Sequence, residues 1–101
     1  EITTDPEKAI KDADIVYTDS WMSYRIPKEQ LIKRMNIFRK YRVDRPLFEQ
    51  ANEDALFMHC LPANRNHEVS PDVIDGKKSI VWDQAENRLH IQKSIILSLL
   101  R

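Results

Sequence analysis

The chain has 101 residues, of which 42% are hydrophobic and 32% charged, and its formal net charge is zero at pH 7. This length and balance predict one small globular domain and argue against intrinsic disorder. A neutral chain has no bulk attraction to nucleic acid or to an anionic membrane, so we expect neither as a partner. The single glycine excludes a glycine-rich phosphate loop, and the single cysteine excludes an intrachain disulfide. We therefore expect a cytoplasmic protein without a membrane span.

The first part of the chain alternates helix and strand. Asp5 followed by proline predicts a helix start, and the helix should run to about Asp12. Residues 14–18 are apolar and β-branched, and they predict a buried strand. A loop over 19–27 leads to a helix that begins at Pro27. An apolar stripe on this helix predicts core packing, and its members are Leu31, Met35 and Phe38.

The second part continues the same alternation and ends in a long amphipathic helix. The predicted elements are a helix over 45–51 capped by Asp44, a strand over 55–58, a helix begun by Ser70 and Pro71 and ended by Gly76, a strand over 79–82, and a helix over 84–100. This order predicts an α/β fold, a three-layer sandwich in which a mainly parallel sheet is flanked by helices.

Three chemically rich stretches follow the three predicted strands. They are Thr18–Ser23, Phe57–Ala63 and Asp83–Arg88. In open parallel sheets, ligands bind beyond the carboxyl ends of the strands. We therefore expect these stretches to form one site.

Cys60 has more than one interpretation. A lone cysteine in an α/β protein is often a small buried hydrophobe. At a strand end before a proline it is also placed to act as a nucleophile, a hydrogen-bond partner or a wall of a substrate site. His59 does not complete a nucleophilic dyad with it, because neighbours on an extended segment point to opposite faces. His67 and His90 do not complete a spacing typical of zinc sites, so no metal site is predicted.

Two charged residues at the other strand ends are candidate binding residues. Asp19 is placed to bind a cationic amine, or to serve as a local cap or turn residue. Arg88, in the first turns of the last predicted helix, is placed to hold an anion or a carbonyl oxygen together with the free backbone donors of the helix start. The alternative for Arg88 is an ion pair with Glu86.

Several motifs together resemble the ornithine carbamoyltransferase family, from about Asp12 to the end of the chain. The motifs are Met58-His59-Cys60-Leu61-Pro62-Ala63, Thr18-Asp19-Ser20-Trp21-Met22-Ser23, Asp83-Gln84-Ala85-Glu86-Asn87-Arg88-Leu89-His90, Glu68-Val69 and Val73-Ile74-Asp75. The His-Cys-Leu-Pro tetrapeptide is specific within the transcarbamylases, and the motifs occur in the family's order. The resemblance implies that residues 1–101 are the carboxyl-terminal part of an ornithine-binding domain with an incomplete Rossmann-like fold.

The resemblance also implies an activity. The family transfers a carbamoyl group from carbamoyl phosphate to the side-chain amine of L-ornithine, giving citrulline and phosphate, without a metal or organic cofactor and as a homotrimer. By motif match, Asp19 would bind the α-amino group of ornithine, and Ser23 and Tyr24 would line the same subsite. Cys60 would lie by the reacting amine, the Cys60–Leu61 backbone near the carbamoyl group, and Arg88 against the carbonyl oxygen.

The chain departs from the family pattern in two respects. Ser23-Tyr24-Arg25 stands where the family commonly has Ser-Met-Gly, which leaves putrescine or acetylated ornithine open as the amine acceptor. The carbamoyl-phosphate-binding domain, with its Ser-x-Arg-Thr motif, is absent. The chain also opens on Glu1, so we expect a fragment that is inactive alone and that exposes apolar surface. A noncatalytic α/β binding module remains the alternative from another class.

Overall fold

Five α-helices and two β-strands form the described part of the chain. The computed structural model describes residues 1–22 and 26–100, with only the backbone of Lys28. In chain order the elements are α1 Pro6–Ile10, β1 Ile15–Thr18, α2 Leu31–Phe38, α3 Arg45–Phe48, β2 Leu56–His59, α4 Pro71–Ile74 and α5 Val81–Leu99, with 3-10 turns at Lys28–Gln30 and Arg39–Tyr41. No helix in these ranges is long and apolar enough to cross a membrane.

The two strands are parallel, which confirms the predicted α/β class with a parallel sheet and flanking helices. The predicted third strand over 79–82 is wrong. Within the described residues, Ser79 makes only an isolated parallel bridge to Phe57, with hydrogen bonds of 2.8 and 3.0 Å on either side of Phe57. The backbone then turns into α5 at Val81, because the apolar run is used to start a helix rather than to extend a sheet.

Side-chain caps determine where two of the short helices begin. The Asp5 carboxylate accepts from two backbone N–H groups of α1, and Asp44 accepts from the Leu47 N–H of α3; each is followed by a proline within the first two helical positions. Both helices end earlier than predicted. Ser70 occupies the N-cap position of α4 without a side-chain cap bond.

One hydrophobic core packs against a single face of the sheet. Alternation along β2 buries Phe57 and His59, while Leu56 remains 38% exposed on the opposite face. The ring of Phe48 on α3 packs edge-on against Phe57, with centroids 6.2 Å apart. The buried residues of this hydrophobic core are Val43, Phe57, Val69, Val73, Ile74 and Val81.

Much of the predicted helix packing is not realised within this chain. The α2 stripe is only half-buried, and no residue of α2 is buried. Beyond Val81, the apolar side chains of α5 are exposed, among them Leu89, Ile95 and Leu99. The expectation that the chain exposes apolar surface is therefore confirmed.

Candidate functional site

The parallel register of the sheet brings Asp19 and Cys60 into contact. Thr18 pairs with His59, so the next residue of each strand leaves the sheet at the same edge. The Cys60 thiol donates a hydrogen bond to Asp19 Oδ1 at 2.9 Å, across 41 positions of sequence. The first two stretches singled out by sequence therefore meet at one point, and the third contacts the second through Gln84.

This contact changes the acid–base properties of both side chains. Burial and then the hydrogen bond to Asp19 raise the pKa of the Cys60 thiol. The thiol donor, followed by the backbone N–H of Ser20, lowers the pKa of the Asp19 carboxyl. Near neutral pH the site therefore presents a carboxylate and a protonated thiol. Because nucleophilic cysteines require an accessible thiolate, this environment disfavours covalent catalysis by Cys60.

A left-handed turn follows Cys60. Leu61 has φ of 54°, a conformation that is unfavourable for a residue with a β-carbon, and its peptide bond to Pro62 is cis. The Leu61 N–H donates to Nδ1 of His59 at 2.8 Å. Because that N–H is already bonded, the Cys60–Leu61 backbone can offer a ligand its carbonyl oxygens but not this donor.

His59 and Cys60 do not form a catalytic dyad. Cys60 Sγ lies 4.0 Å from Nδ1 of His59, and Nδ1 is already occupied by the Leu61 N–H. The sequence-based argument relied on opposite strand faces. In the structure, the Leu61 N–H occupies Nδ1 of His59, so the imidazole is not available as a base for the thiol. The thiol hydrogen is directed to Asp19 instead.

The loop after β1 is anchored at its start. Trp21 is buried, and its ring stacks on Phe38 of α2 at a centroid distance of 6.0 Å. The Arg34 Nε–H of the same helix donates to the Trp21 carbonyl at 2.8 Å. The predicted ligand residues Ser23 and Tyr24 lie outside the described residues.

Arg88 is not brought to the Asp19–Cys60 pair by a contact within this chain. It is exposed on α5, and among the described residues its guanidinium makes no hydrogen bond or ion pair. Glu86 contacts His90 at 3.3 Å instead of Arg88. Since α5 begins at Val81 rather than 84, Arg88 lies about two turns along the helix. The free helix-start donors belong to the first turn, so Arg88 does not lie beside them. Its cooperation with them stays a prediction.

Sequence reasoning did not identify two polar side chains that organise this edge. Gln84 accepts from the His59 N–H at 3.0 Å and donates to the Tyr17 hydroxyl at 3.1 Å, so it joins α5 to both strands. Glu68 is fully buried, with Oε1 at 3.4 Å from Nε2 of His59. Glu68 occurred in the sequence analysis only as part of a family motif. Gln84 lies in the third stretch, Asp83–Arg88, but no role was given to it there. Across residues 1–22 and 26–100, no group of three or more His, Cys, Asp or Glu side chains could hold a metal ion.

Comparisons with known proteins point to one family. The profile described as "Aspartate/ornithine carbamoyltransferase, Asp/Orn binding domain" matches residues 1–99. The ornithine carbamoyltransferase of Methanococcus maripaludis is 52% identical over 95 residues, which cover 94% of this chain and 31% of that protein. This chain therefore spans about a third of the length of that curated relative.

Solved structures give the same result for the fold. The ornithine carbamoyltransferase of Pyrococcus furiosus superposes with a TM-score of 0.84 at 53% identity, over 91% of this chain and 29% of that one. A structure of an N-acetyl-L-ornithine transcarbamylase superposes with a TM-score of 0.78 at 33% identity, over 95% of this chain and 29% of that one.

Proposed function

Since the chain belongs to the aspartate/ornithine carbamoyltransferase family and matches its amino-acid-binding domain, we propose that it is the ornithine-binding part of an ornithine carbamoyltransferase. The rest of such an enzyme, including the carbamoyl-phosphate-binding domain, would lie outside residues 1–101. The observation that supports this most is the 2.9 Å hydrogen bond between Cys60 and Asp19. It places a carboxylate and a neutral thiol together at the edge where parallel sheets bind ligands.

The proposed reaction transfers a carbamoyl group between two bound substrates. The side-chain amine nitrogen of ornithine attacks the carbonyl carbon of carbamoyl phosphate, the bond from that carbon to the phosphate oxygen breaks, and the amine loses a proton. The anionic Asp19 would pair with the α-ammonium group of ornithine. The protonated Cys60 would line the space beside the reacting amine without bonding to carbon. Much of the rate then comes from holding the two reactants in place.

The remaining roles follow from the family motifs. Ser23 and Tyr24 would line the ornithine subsite, and the carbonyl oxygens of Cys60 and Leu61 would face the carbamoyl NH2 group. Arg88 would stabilise the carbonyl oxygen, on which negative charge develops as the amine attacks. In the complete protein, its exposed position on α5 would leave the guanidinium free for this contact.

The first test compares the chain alone with the chain in a full-length setting. We expect no citrulline from the purified 101-residue chain with both substrates, because it holds no phosphate-binding motif. The matched protein is the Pyrococcus furiosus relative with its corresponding segment replaced by this chain, called here the graft protein. We expect the graft protein to form citrulline. Turnover by the chain alone would contradict the two-part site, and a folded but inactive graft protein would favour the noncatalytic binding module.

The second test addresses Arg88. We expect Arg88→Ala in the graft protein to lower kcat/KM by about 10²–10³-fold, since that is the usual effect of removing one donor to a developing oxyanion. Lys93→Ala, which removes another positive charge from the exposed surface of α5, is the control. An Arg88→Ala variant as active as the control would refute the role given to Arg88.

The second candidate function is carbamoyl transfer to a related amine, because the N-acetyl-L-ornithine transcarbamylase shares the fold at 33% identity. Titration of ornithine, putrescine and N-acetylornithine against the graft protein ranks them by kcat/KM. We expect ornithine to rank first. A higher kcat/KM for either competitor would assign the chain to that amine.

The proposal includes the assembly and location of the complete protein. We expect a homotrimer, as the family resemblance implies, and a cytoplasmic location, which the single cysteine favours. Light scattering of the graft protein after size-exclusion chromatography measures the subunit number. A monomeric, active graft protein would remove the trimer from the proposal.

A further inference from the structure

Two buried polar side chains lie directly behind the Cys60–Leu61 turn. His59 is 1% exposed and Glu68 is fully buried, and His59 Nε2 lies 3.4 Å from Glu68 Oε1. Within the described residues, His59 Nε2 and Glu68 Oε2 have no hydrogen-bond partner. Buried polar atoms without partners reduce stability, and an apolar pair of similar size would pack here at lower cost. The pair therefore calls for an explanation other than stability.

His59 acts on the turn through its Nδ1 atom. Nδ1 accepts the Leu61 N–H at 2.8 Å, so the neutral ring carries its hydrogen on Nε2, facing Glu68. The same bond holds Leu61 in its left-handed conformation, with φ of 54°. Such conformations persist where surrounding contacts enforce them. The orientation of the Cys60–Leu61 backbone therefore depends on which ring nitrogen accepts.

Glu68 extends this support to the loop after β1. Its Oε1 accepts the Asn64 N–H at 2.5 Å, and the Asn64 side-chain amide donates to Ser20 Oγ at 3.2 Å. Ser20 Oγ in turn donates to the Met22 carbonyl at 2.9 Å. The Glu68 backbone is itself held, because its carbonyl accepts the Val43 N–H at 2.9 Å. The buried Glu68 carboxyl thus links His59, which supports the Cys60–Leu61 turn, to the loop after β1.

We propose that His59 and Glu68 are positioning residues that set the geometry of the ornithine site without touching the substrate. The inference rests on the proposed function and deepens it. His59 orients the Cys60–Leu61 turn beside the reacting groups. Glu68, through Asn64 and Ser20, orients the loop that carries Asp19.

Two substitutions at His59 separate the roles of its ring nitrogens. In His59→Asn, the amide oxygen takes the place of Nδ1 and keeps an acceptor for Leu61. In His59→Gln, the amide reaches the place of Nε2 and leaves the Leu61 N–H without its acceptor. In the graft protein we expect His59→Gln to lower kcat on the order of tenfold with little change in ornithine KM, since loss of one well-placed hydrogen bond has that effect. His59→Asn should retain most of kcat.

The hydrogen-bond chain from Glu68 through Asn64 to Ser20 should affect a different kinetic constant. We expect Asn64→Ala to raise the ornithine KM several-fold with kcat nearly unchanged, because it releases the Ser20 loop but leaves the turn in place. A merely structural role would predict equal losses in both His59 variants and no separation of KM from kcat. Either result would overturn the proposal.

A measurement that does not depend on enzyme activity distinguishes this inference from the proposed function. Long-range ¹H–¹⁵N NMR of the 101-residue chain should show the His59 ring protonated at Nε2, and hydrogen exchange should show a protected Leu61 amide. That protection should persist in His59→Asn and disappear in His59→Gln. If the graft protein forms no citrulline while these signals are present, the proposed function fails and the turn support stands. If the wild-type ring is protonated at Nδ1 or the Leu61 amide exchanges freely, the inference fails whatever the activity.

Discussion

Phe57 is the residue on which the support of the site can be tested most directly. It is fully buried, two positions before His59 on the same face of β2, and its ring packs edge-on against Phe48 with centroids 6.2 Å apart. Phe57→Leu keeps an apolar side chain but removes three carbon atoms and the aromatic contact. The edge-to-face pair contributes about 0.5–1.5 kcal/mol. The lost burial and the cavity left behind add about 1 kcal/mol.

We therefore expect Phe57→Leu to lower the free energy of unfolding by about 2 kcal/mol, and Tm by about 8–16 °C. Leu56→Ala is the matched control, because it also removes three carbon atoms from the adjacent position. Leu56 is 38% exposed on the other face of the sheet. Part of its side chain is already in water and little cavity forms, so a loss of about 1.5 kcal/mol or less is expected.

Urea unfolding followed by far-ultraviolet circular dichroism measures both variants of the 101-residue chain. The comparison is valid if the m-value stays constant, since a changed slope would mean a change in the surface exposed on unfolding. A loss for Leu56→Ala equal to or larger than that for Phe57→Leu would refute the assignment of the buried face. It would also remove the basis for placing His59 on that face.

Two further predictions concern the thiol and the end of α4. Burial and the Asp19 carboxylate raise the pKa of the Cys60 thiol, so less thiolate exists at pH 8 than for a free cysteine, and alkylation by iodoacetamide should be slow. Asp19→Asn should shift the midpoint of the pH profile of the alkylation rate to lower pH. An unchanged midpoint would contradict the contact between the two side chains. Gly76→Ala would place a β-carbon 2.5 Å from the Asp72 carbonyl oxygen, so thermal unfolding should show a loss of about 1–3 kcal/mol in the free energy of unfolding. Lys77→Ala, at an exposed position, is the control. If both variants lose equally little stability, the backbone adapts to the β-carbon and the prediction is wrong.

Local patterns predicted the starts of the two helices that an aspartate caps, because a cap acts within one turn. Asp5 and Asp44 cap the helices that they were expected to cap. The apolar run Ile80–Trp82 misled the same reasoning, since a short apolar run is compatible with a strand or with the first turn of a helix. Only the neighbouring elements decide between the two, and here Phe57 pairs with Ser79 before the chain turns into α5.

The order of strands and polar stretches was sufficient to predict that Asp19 and Cys60 lie at the same sheet edge, because parallel strands share the direction of their carboxyl ends. The sequence by itself also determined the family, through short motifs in a fixed order. Only the tertiary structure decided that the thiol donates to Asp19, that Nδ1 of His59 accepts from Leu61, and that Glu68 is buried behind them. Those features depend on which atom reaches a partner far away in sequence. Such a choice is made by packing and by the need to satisfy buried polar groups, which no local pattern encodes.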